Sequence, residues 1–326
     1  MRFGTIGTGQ IVREILRGTA AAEGVSCGAV YSRHYETGES LARDFGVETV
    51  YTDLESLLGD PSLDAIYIAS PNSLHAYQAH LALEHGKHVL LEKPFTPTRK
   101  EAEALFALAE SQNLFLLEAI TTQSLPNFKV LRTLLPQLGR IRLVQCSYSQ
   151  YSSRYDALLA GETPNVFNPA FAGGALMDIN LYNLSFVISL FGQPLETAYY
   201  ANHHANGVDT SGVLVLRYPD FVCTCEGAKD TWGVNSAQLQ GEQGFLYIQD
   251  GCNAFTQVTL ETRAGRETFN NQDPGLHWHY EVQELTELIR TGNRAEYLRR
   301  KALTLGVVEV LEAARGGPSA PVSSGA

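Results

Sequence analysis

The chain has 326 residues, 44% of them hydrophobic, and a formal net charge of −11. At roughly 100–200 residues per domain, that length suits two domains, each with enough apolar residues for its own core. An acidic chain lacks the basic surface that nonspecific nucleic-acid binding needs to displace counterions, so nucleic acid is not an expected partner.

Up to residue 120, short apolar runs alternate with helical patterns. Strands are expected at 3–6, 25–31, 65–69, 88–91 and 114–117, with a weaker one at 49–51. Helices are expected between them at 11–17, 36–45, 54–58, 74–85 and 99–111. The last opens on a capping box, Thr98 followed three residues later by Glu101. Such alternation implies a parallel sheet with helices on both faces.

The first strand runs into Gly7-Thr8-Gly9-Gln10-Ile11-Val12. This is the G-x-G spacing of a dinucleotide-binding turn, with Val12 where a third glycine is usual. Gly7 permits the tight turn, and Gly9 lets the backbone approach a pyrophosphate at the helix N-terminus. Thr8, Gln10 and Ile11 complete the expected contact segment. At the end of the second strand, NAD-specific sites usually place a carboxylate for the ribose hydroxyls. Here the residues are Tyr31, Ser32, Arg33 and His34. Ser32 can hydrogen-bond a 2′-phosphate, and Arg33 can neutralise it and stack on adenine. NADP(H) is therefore favoured, with NAD(H) as the alternative.

Ser70-Pro71-Asn72-Ser73-Leu74-His75 follows the strand at 65–69, at a carboxyl end where this architecture binds ligands. Asn72 or Ser73 is expected to cap the next helix. Another strand then ends in Glu92-Lys93-Pro94. A lysine there can reach the nicotinamide end of the cofactor and, as a cation, stabilise developing alkoxide charge. Pro94 fixes the turn.

From residue 121 the pattern changes. A helix is expected at 128–135 and a strand at 141–151, followed by a Gly-, Pro- and Asn-rich loop at 160–173. An apolar helix at 175–190 should stop at Gly192. Consecutive strands at 197–202, 212–217, 222–227, 236–240, 245–248 and 258–262 suggest a mostly antiparallel α+β domain. Helices at 280–290 and 303–314 close the chain, and the small, polar tail from 316 is expected to fray. The expected domains are 1–120 and 121–326, with the C-terminal helices packing back on the first.

Five scattered cysteines, Cys27, Cys146, Cys223, Cys225 and Cys252, form neither a zinc pattern nor a redox C-x-x-C. Reduced, structural thiols are expected, with Cys223 and Cys225 on opposite faces of one strand. His203-His204 and His277-x-His279 lack the partner spacing of a metal site, so no metal is expected. No targeting segment is visible, and no window is expected to reach the eighteen or so apolar residues of a membrane span. A cytoplasmic protein with no membrane partner is expected.

Residues 68–75, the run Gly86-Lys87-His88-Val89-Leu90-Leu91-Glu92-Lys93-Pro94, the N-terminal glycines and Gly173-Gly174-Ala175-Leu176-Met177-Asp178 together resemble the Gfo/Idh/MocA oxidoreductases. The resemblance implies a Rossmann domain followed by an α+β domain with an open sheet that often mediates oligomerisation, here as a homodimer or homotetramer. It implies hydride transfer between a nicotinamide cofactor and a sugar, cyclitol or diol. Ser70, Pro71, Asn72, His75, Glu92 and Lys93 become cofactor-site candidates, and Lys93 a catalytic one.

Where the family often has Asp-x-x-x-His, this chain has Asp178-Ile179-Asn180-Leu181-Tyr182. Positions i and i+4 share a helix face, so Asp178 and Tyr182 can converge. Tyrosine in place of histidine resembles the dihydrodiol dehydrogenase branch, where tyrosine is the implied acid/base. Lys93 can lower its pKa toward neutrality. Asp178 would orient substrate hydroxyls or Lys93. Two departures stand out: Gln123 where relatives often have Arg, and Asn180 where glycine is common. Arg154, Asn165 and Trp232 are candidate substrate contacts, Trp232 for a sugar's apolar face. A rival reading is a dinucleotide-binding regulator of the same fold that performs no chemistry.

Overall fold

The computed structural model describes residues 1–273, 275 and 277–316. The chain forms two compact units, Met1–Thr121 with Gly275–Leu305, and Thr122–Pro274 with Gly306–Ala326. The tail expected to fray lies, beyond Gly316, outside the described residues.

The first unit holds β1 (Arg2–Ile6), α1 (Gln10–Ala21), β2 (Ser26–Tyr31), α2 (Tyr35–Phe45), β3 (Thr49–Tyr51), α3 (Leu54–Leu58), β4 (Ala65–Ile68), α4 (His75–Glu84), β5 (His88–Glu92), α5 (Arg99–Ser111) and β6 (Leu116–Ala119). The six strands are parallel and ordered β3-β2-β1-β4-β5-β6. Chain direction along the sheet reverses between β1 and β4, which opens a crevice at the carboxyl ends of those strands. β4 is buried at all four positions, as expected of a strand covered on both faces. The Thr98–Glu101 capping box is formed. The N-cap of α4 is Leu74 rather than Asn72 or Ser73. A 3₁₀ turn, Asn72–Leu74, precedes α4, and backbone carbonyls take the N–H groups that a side chain would have served.

Gly275–Leu305 returns to this unit. α10 (His277–Thr291) packs on α1 and contributes Val282 to the core shared by Val12, Ile15, Leu16 and Val30. Gly18 makes the approach possible: a Cβ there would sit 2.8 Å from the backbone of Trp278 and His279.

The second unit holds α6 (Pro126–Leu134), β7 (Ile141–Ser149), α7 (Tyr155–Leu159), α8 (Leu181–Phe191), β8 (Glu196–His203), β9 (Asp209–Arg217), β10 (Val222–Ala228), β11 (Ser236–Gly241), β12 (Gly244–Gln249), α9 (Gly251–Ala254), β13 (Gln257–Thr262) and β14 (Gly265–Phe269). α11 (Arg294–Arg315) crosses the division between Leu305 and Gly306. The eight strands are ordered β14-β13-β12-β11-β7-β10-β9-β8, and all neighbours are antiparallel except β7 and β10. The α/β domain followed by a mostly antiparallel α+β domain is thus the architecture observed. Phe128, Phe186 and Phe255 meet at ring distances of 5.7–6.1 Å in its core.

Several expectations are corrected here. The apolar helix is not uniform: Leu176–Asn180 is a π turn, and α-helix begins at Leu181. The stretch Pro169–Phe191 is in fact long and apolar enough to cross a membrane. Its most apolar window is 78% buried, which is what an all-round hydrophobic core helix looks like. β14 carries too polar a sequence, GRETF, to show strand periodicity. Cys223 and Cys225 share a face rather than opposing each other, with sulfurs 3.7 Å apart. Two residues along a strand is one full period, so i and i+2 align. All five cysteines are free thiols.

Candidate active site

The glycine turn is built by steric necessity. Gly7 has φ +118°, and a Cβ there would sit 2.6 Å from the carbonyl oxygen of Ala69 on β4. Val12, in the place of the missing third glycine, is fully buried and packs in the core beneath the turn. Gly9 is the N-cap of α1 and provides no side-chain cap, so the first-turn N–H groups are left to another acceptor. A Cβ at Gly9 would meet nothing within 4 Å. Open space in front of uncapped amides is what a pyrophosphate requires.

These residues open onto a cleft of about 390 Å³, lined by Gly7, Thr8, Gly9, Ser32, Arg33, His34, Ser70 and Pro71, among others. Ser32 is buried and its backbone N–H is bonded to Tyr51 at 3.0 Å. Arg33 and His34 are exposed at the rim. Among the described residues no carboxylate lines the cleft, so the donor set suits a dinucleotide carrying an extra phosphate. Sequence reasoning passes over Thr37, Leu54, Tyr77 and Gln78, which also line it. Each falls within the first four residues of a helix that follows a strand end, and that punctuation was the available signal. Gln10, Ile11 and Asn72 flank the cleft in sequence but are not among the residues that line it.

His75 has a different place from the one expected. It is 1% exposed, and its ring nitrogens lie 3.0 Å from the carbonyls of Pro94 and Ser70. Burial pushes its pKa below the usual histidine value, so the ring is neutral and donates to one of the two at a time. It ties the Ser70 loop to the Lys93-Pro94 turn, whose peptide bond is cis.

That turn ends β5, two strands along from β1. Lys93 is half-buried and Glu92 is 6% exposed. Glu92 accepts a hydrogen bond from the Tyr67 hydroxyl at 2.7 Å and one from the Lys93 backbone at 3.1 Å. Glu118, on β6, is equally buried and takes the Thr304 hydroxyl at 2.9 Å.

In the second unit, the approach of Gly173-Gly174 to neighbouring backbone leads into the π turn. A Cβ at Gly174 would collide with Asp209, which caps Leu176 N–H at 2.7 Å. Asp178 stands in that turn and Tyr182 one turn on, at the start of α8. Asp178 is ion-paired with Lys229, whose side chain is 6% exposed. A lone lysine after a strand carries no sequence signal of its partner, so this pair is visible only in the structure. The Tyr182 ring meets Tyr148 edge-on at 5.9 Å. Asn180 is fully buried and donates to the Cys225 carbonyl at 2.9 Å. It fits because it faces Gly227, where a Cβ would lie 2.7 Å from Asn180 Cβ. The small residue of this contact is on the strand.

The expected substrate contacts occupy one neighbourhood, linked by rings. Trp232 is 75% exposed and stacks on Tyr151 at 4.3 Å. Tyr151 meets Tyr155, Tyr155 meets Phe167, and Lys229 lies 5.6 Å from the Phe167 ring. Arg154 and Asn165 are exposed beside this row, at the starts of α7 and of the 3₁₀ turn Asn165–Phe167. Gln123 is buried at 3% in the 3₁₀ turn Thr121–Ser124. Among the described residues, no group of three or more His, Cys, Asp or Glu side chains has the arrangement of a metal site.

Comparison with known proteins adds to this geometry. Residues 1–119 match a family described as an oxidoreductase family with an NAD-binding Rossmann fold, and residues 135–247 match a GFO/IDH/MocA C-terminal domain. The chain is 36% identical to the scyllo-inositol 2-dehydrogenase (NADP(+)) IolU of Bacillus subtilis, over 97% of this chain and 96% of that one. It is 27% identical to the trans-1,2-dihydrobenzene-1,2-diol dehydrogenase of Sus scrofa, over 88% and 87%. In fold it is similar to KijD10, a 3-ketoreductase from Actinomadura kijaniata solved with NADP and TDP-benzene. The TM-score is 0.84 at 24% identity, covering 97% of each chain.

Proposed function

Because the chain belongs to the Gfo/Idh/MocA oxidoreductase family, we propose that it moves a hydride between NADP(H) and a hydroxyl-bearing carbon of a cyclitol, sugar or related diol. The observation that carries the reading is topological. The glycine turn after β1 and the lysine turn after β5 end parallel strands at the same edge of one sheet. The cofactor turn and the catalytic lysine thus arise from one rigid element, as precise positioning requires.

The absence of a carboxylate at the end of β2, with Ser32 and Arg33 in its place, supports NADP(H). The long match to an enzyme named as an NADP(+)-dependent inositol dehydrogenase supports a cyclitol or sugar. The weaker match to a dihydrodiol dehydrogenase keeps diols within range.

The bound nicotinamide supplies the carbon that accepts or gives the hydride. The chain's own residues do the rest. Lys93 donates a hydrogen bond to the substrate oxygen and offsets alkoxide charge as it develops. Tyr182 takes the hydroxyl proton in oxidation and returns it in reduction. Asp178, its charge balanced by Lys229, accepts from a neighbouring substrate hydroxyl. Trp232 and the ring row beside it offer apolar faces to a ring-shaped substrate.

The test is a panel of inositols, aldoses and cyclic trans-diols, with NADP reduction followed by absorbance and NADPH binding by fluorescence. Turnover of at least one polyol is expected, with NADP preferred to NAD. Tight NADPH binding with no turnover across the panel would overturn the reading in favour of a dinucleotide-binding regulator.

A further inference from the structure

Behind the lysine turn, the first unit holds an unusual concentration of buried carboxyl groups. Glu92, Glu118 and Glu281 come from β5, β6 and α10 and are 6%, 5% and 1% exposed. Glu92 and Glu118 lie at the carboxyl ends of adjacent strands but on opposite faces of the sheet, with Leu91 paired to Glu118 and Glu92 to Ala119. Glu92 has its hydrogen bonds from Tyr67 and the Lys93 backbone. Glu118 has Thr304 and the backbone N–H of Phe95, the second residue after Lys93. Neither carboxyl oxygen of Glu281 has a hydrogen-bond partner among the described residues.

Glu92 and Glu118 both act on Glu281, and Glu92 acts on Glu118. On the cationic side stand Lys93, which acts on Glu118, and Arg300, which acts on Glu281. Arg300 is already bonded to Glu284 at 2.8 Å and Glu296 at 3.1 Å. His75 also faces Lys93 but is held neutral by burial. Like-charged groups in one buried cluster cannot all ionise together, so the cluster retains protons. Glu281, with no donor to stabilise an anion, is the member that stays neutral, and burial pushes it well above the carboxylate range. Glu118 has two donors and a nearby lysine, and burial raises it only to about 7.

We propose that Glu118 is a positioning residue for the reaction: a buried, ionisable carboxyl whose charge governs how firmly Lys93 holds its proton, with Glu281 as the neutral member of the cluster. Ionised Glu118 favours the ammonium form of Lys93, the form that can donate to a substrate oxygen. Thr304 tunes the device by donating to the Glu118 carboxylate. The proposal rests on the role given to Lys93 above, but its consequences can be read without turnover.

The experiment is an NMR pH titration of the protein with bound NADPH, with isotope labels in the lysine and glutamate side chains. Lys93→Arg and Glu118→Gln assign the two signals. In Glu118→Gln, the Lys93 midpoint should fall by about one pH unit, as expected for the loss of one nearby anion. In Thr304→Val, which keeps the carboxyl, the Glu118 midpoint should rise, and the Lys93 midpoint should move down by less than in Glu118→Gln. Glu281→Gln, replacing a neutral group by a neutral one, should leave the Lys93 midpoint in place. Lys93 titrating identically in wild type and Glu118→Gln would overturn the proposal, as would a large shift in Glu281→Gln. A Lys93 shift in a protein that turns over no polyol would sustain this proposal while removing the functional reading. An unshifted Lys93 in an active enzyme would do the reverse.

Discussion

Arg33 is a residue whose role the sequence suggested by what was missing around it. An acid at the end of β2 would repel a 2′-phosphate; here the position offers Ser32, Arg33 and His34, and Arg33 makes no ion pair among the described residues. A charge-assisted hydrogen bond contributes roughly 1.5–3 kcal/mol, or about 10- to 100-fold in affinity. Arg33→Ala should therefore raise the KM for NADP by that factor while leaving NAD almost unaffected; equal losses with both cofactors would remove Arg33 as the phosphate contact. Glycines and single polar residues beside strand ends were legible because their chemistry is local. The partners of buried charges were not. Lys229 meets Asp178 across 51 positions and Glu118 meets Thr304 across 186, and nothing in the linear order announces either pair.

Elements were legible where a period was sustained. β3, α3 and α5 fall at their expected limits, and the six strands of the first unit were all anticipated. The π turn at Leu176–Asn180 was not, because a continuous apolar run reads the same in either helix type. Such turns often occur at functional positions, and this one carries Asp178. α10 offers a test of packing at this scale. Its Thr286 is 4% exposed, and its hydroxyl has no partner among the described residues. It borders a cavity of about 30 Å³ whose other lining residues, including Tyr67, Val89, Leu117 and Val282, are apolar or aromatic. Valine has nearly the same shape and no hydroxyl to leave unpaired. Thr286→Val should raise unfolding free energy by about 1 kcal/mol, measured by urea denaturation; a loss of that size would mean that the hydroxyl has a partner.

For the molecule as a whole, the two-part architecture was visible in the change from strand–helix alternation to consecutive strands near residue 121. The return of α10 to the first unit depends on contacts such as Gly18 against Trp278, which no sequence period encodes. The buried carboxyl cluster has a global consequence. A group whose pKa in the folded protein exceeds its unfolded value stabilises the fold fully below the unfolded value, and this contribution is lost as pH rises through the folded value. For Glu118 the window runs from about 4.5 to about 7. Wild-type stability should decline across it relative to Glu118→Gln, by up to about 3 kcal/mol if Glu118 titrates alone. Thermal or urea unfolding of both proteins between pH 5 and 8 checks this. A constant difference across that range would show that Glu118 does not hold its proton in the folded state.

The turn Glu92-Lys93-Pro94 joins all three scales, since a single lysine at one strand end is asked to act on the substrate through the whole fold. Its direct test is Lys93→Ala, assayed on the best polyol from the panel, with NADPH affinity measured in parallel. The account predicts a fall in kcat of about 100- to 1,000-fold with the NADPH Kd unchanged. A variant that binds NADPH normally and turns over at the wild-type rate would contradict it.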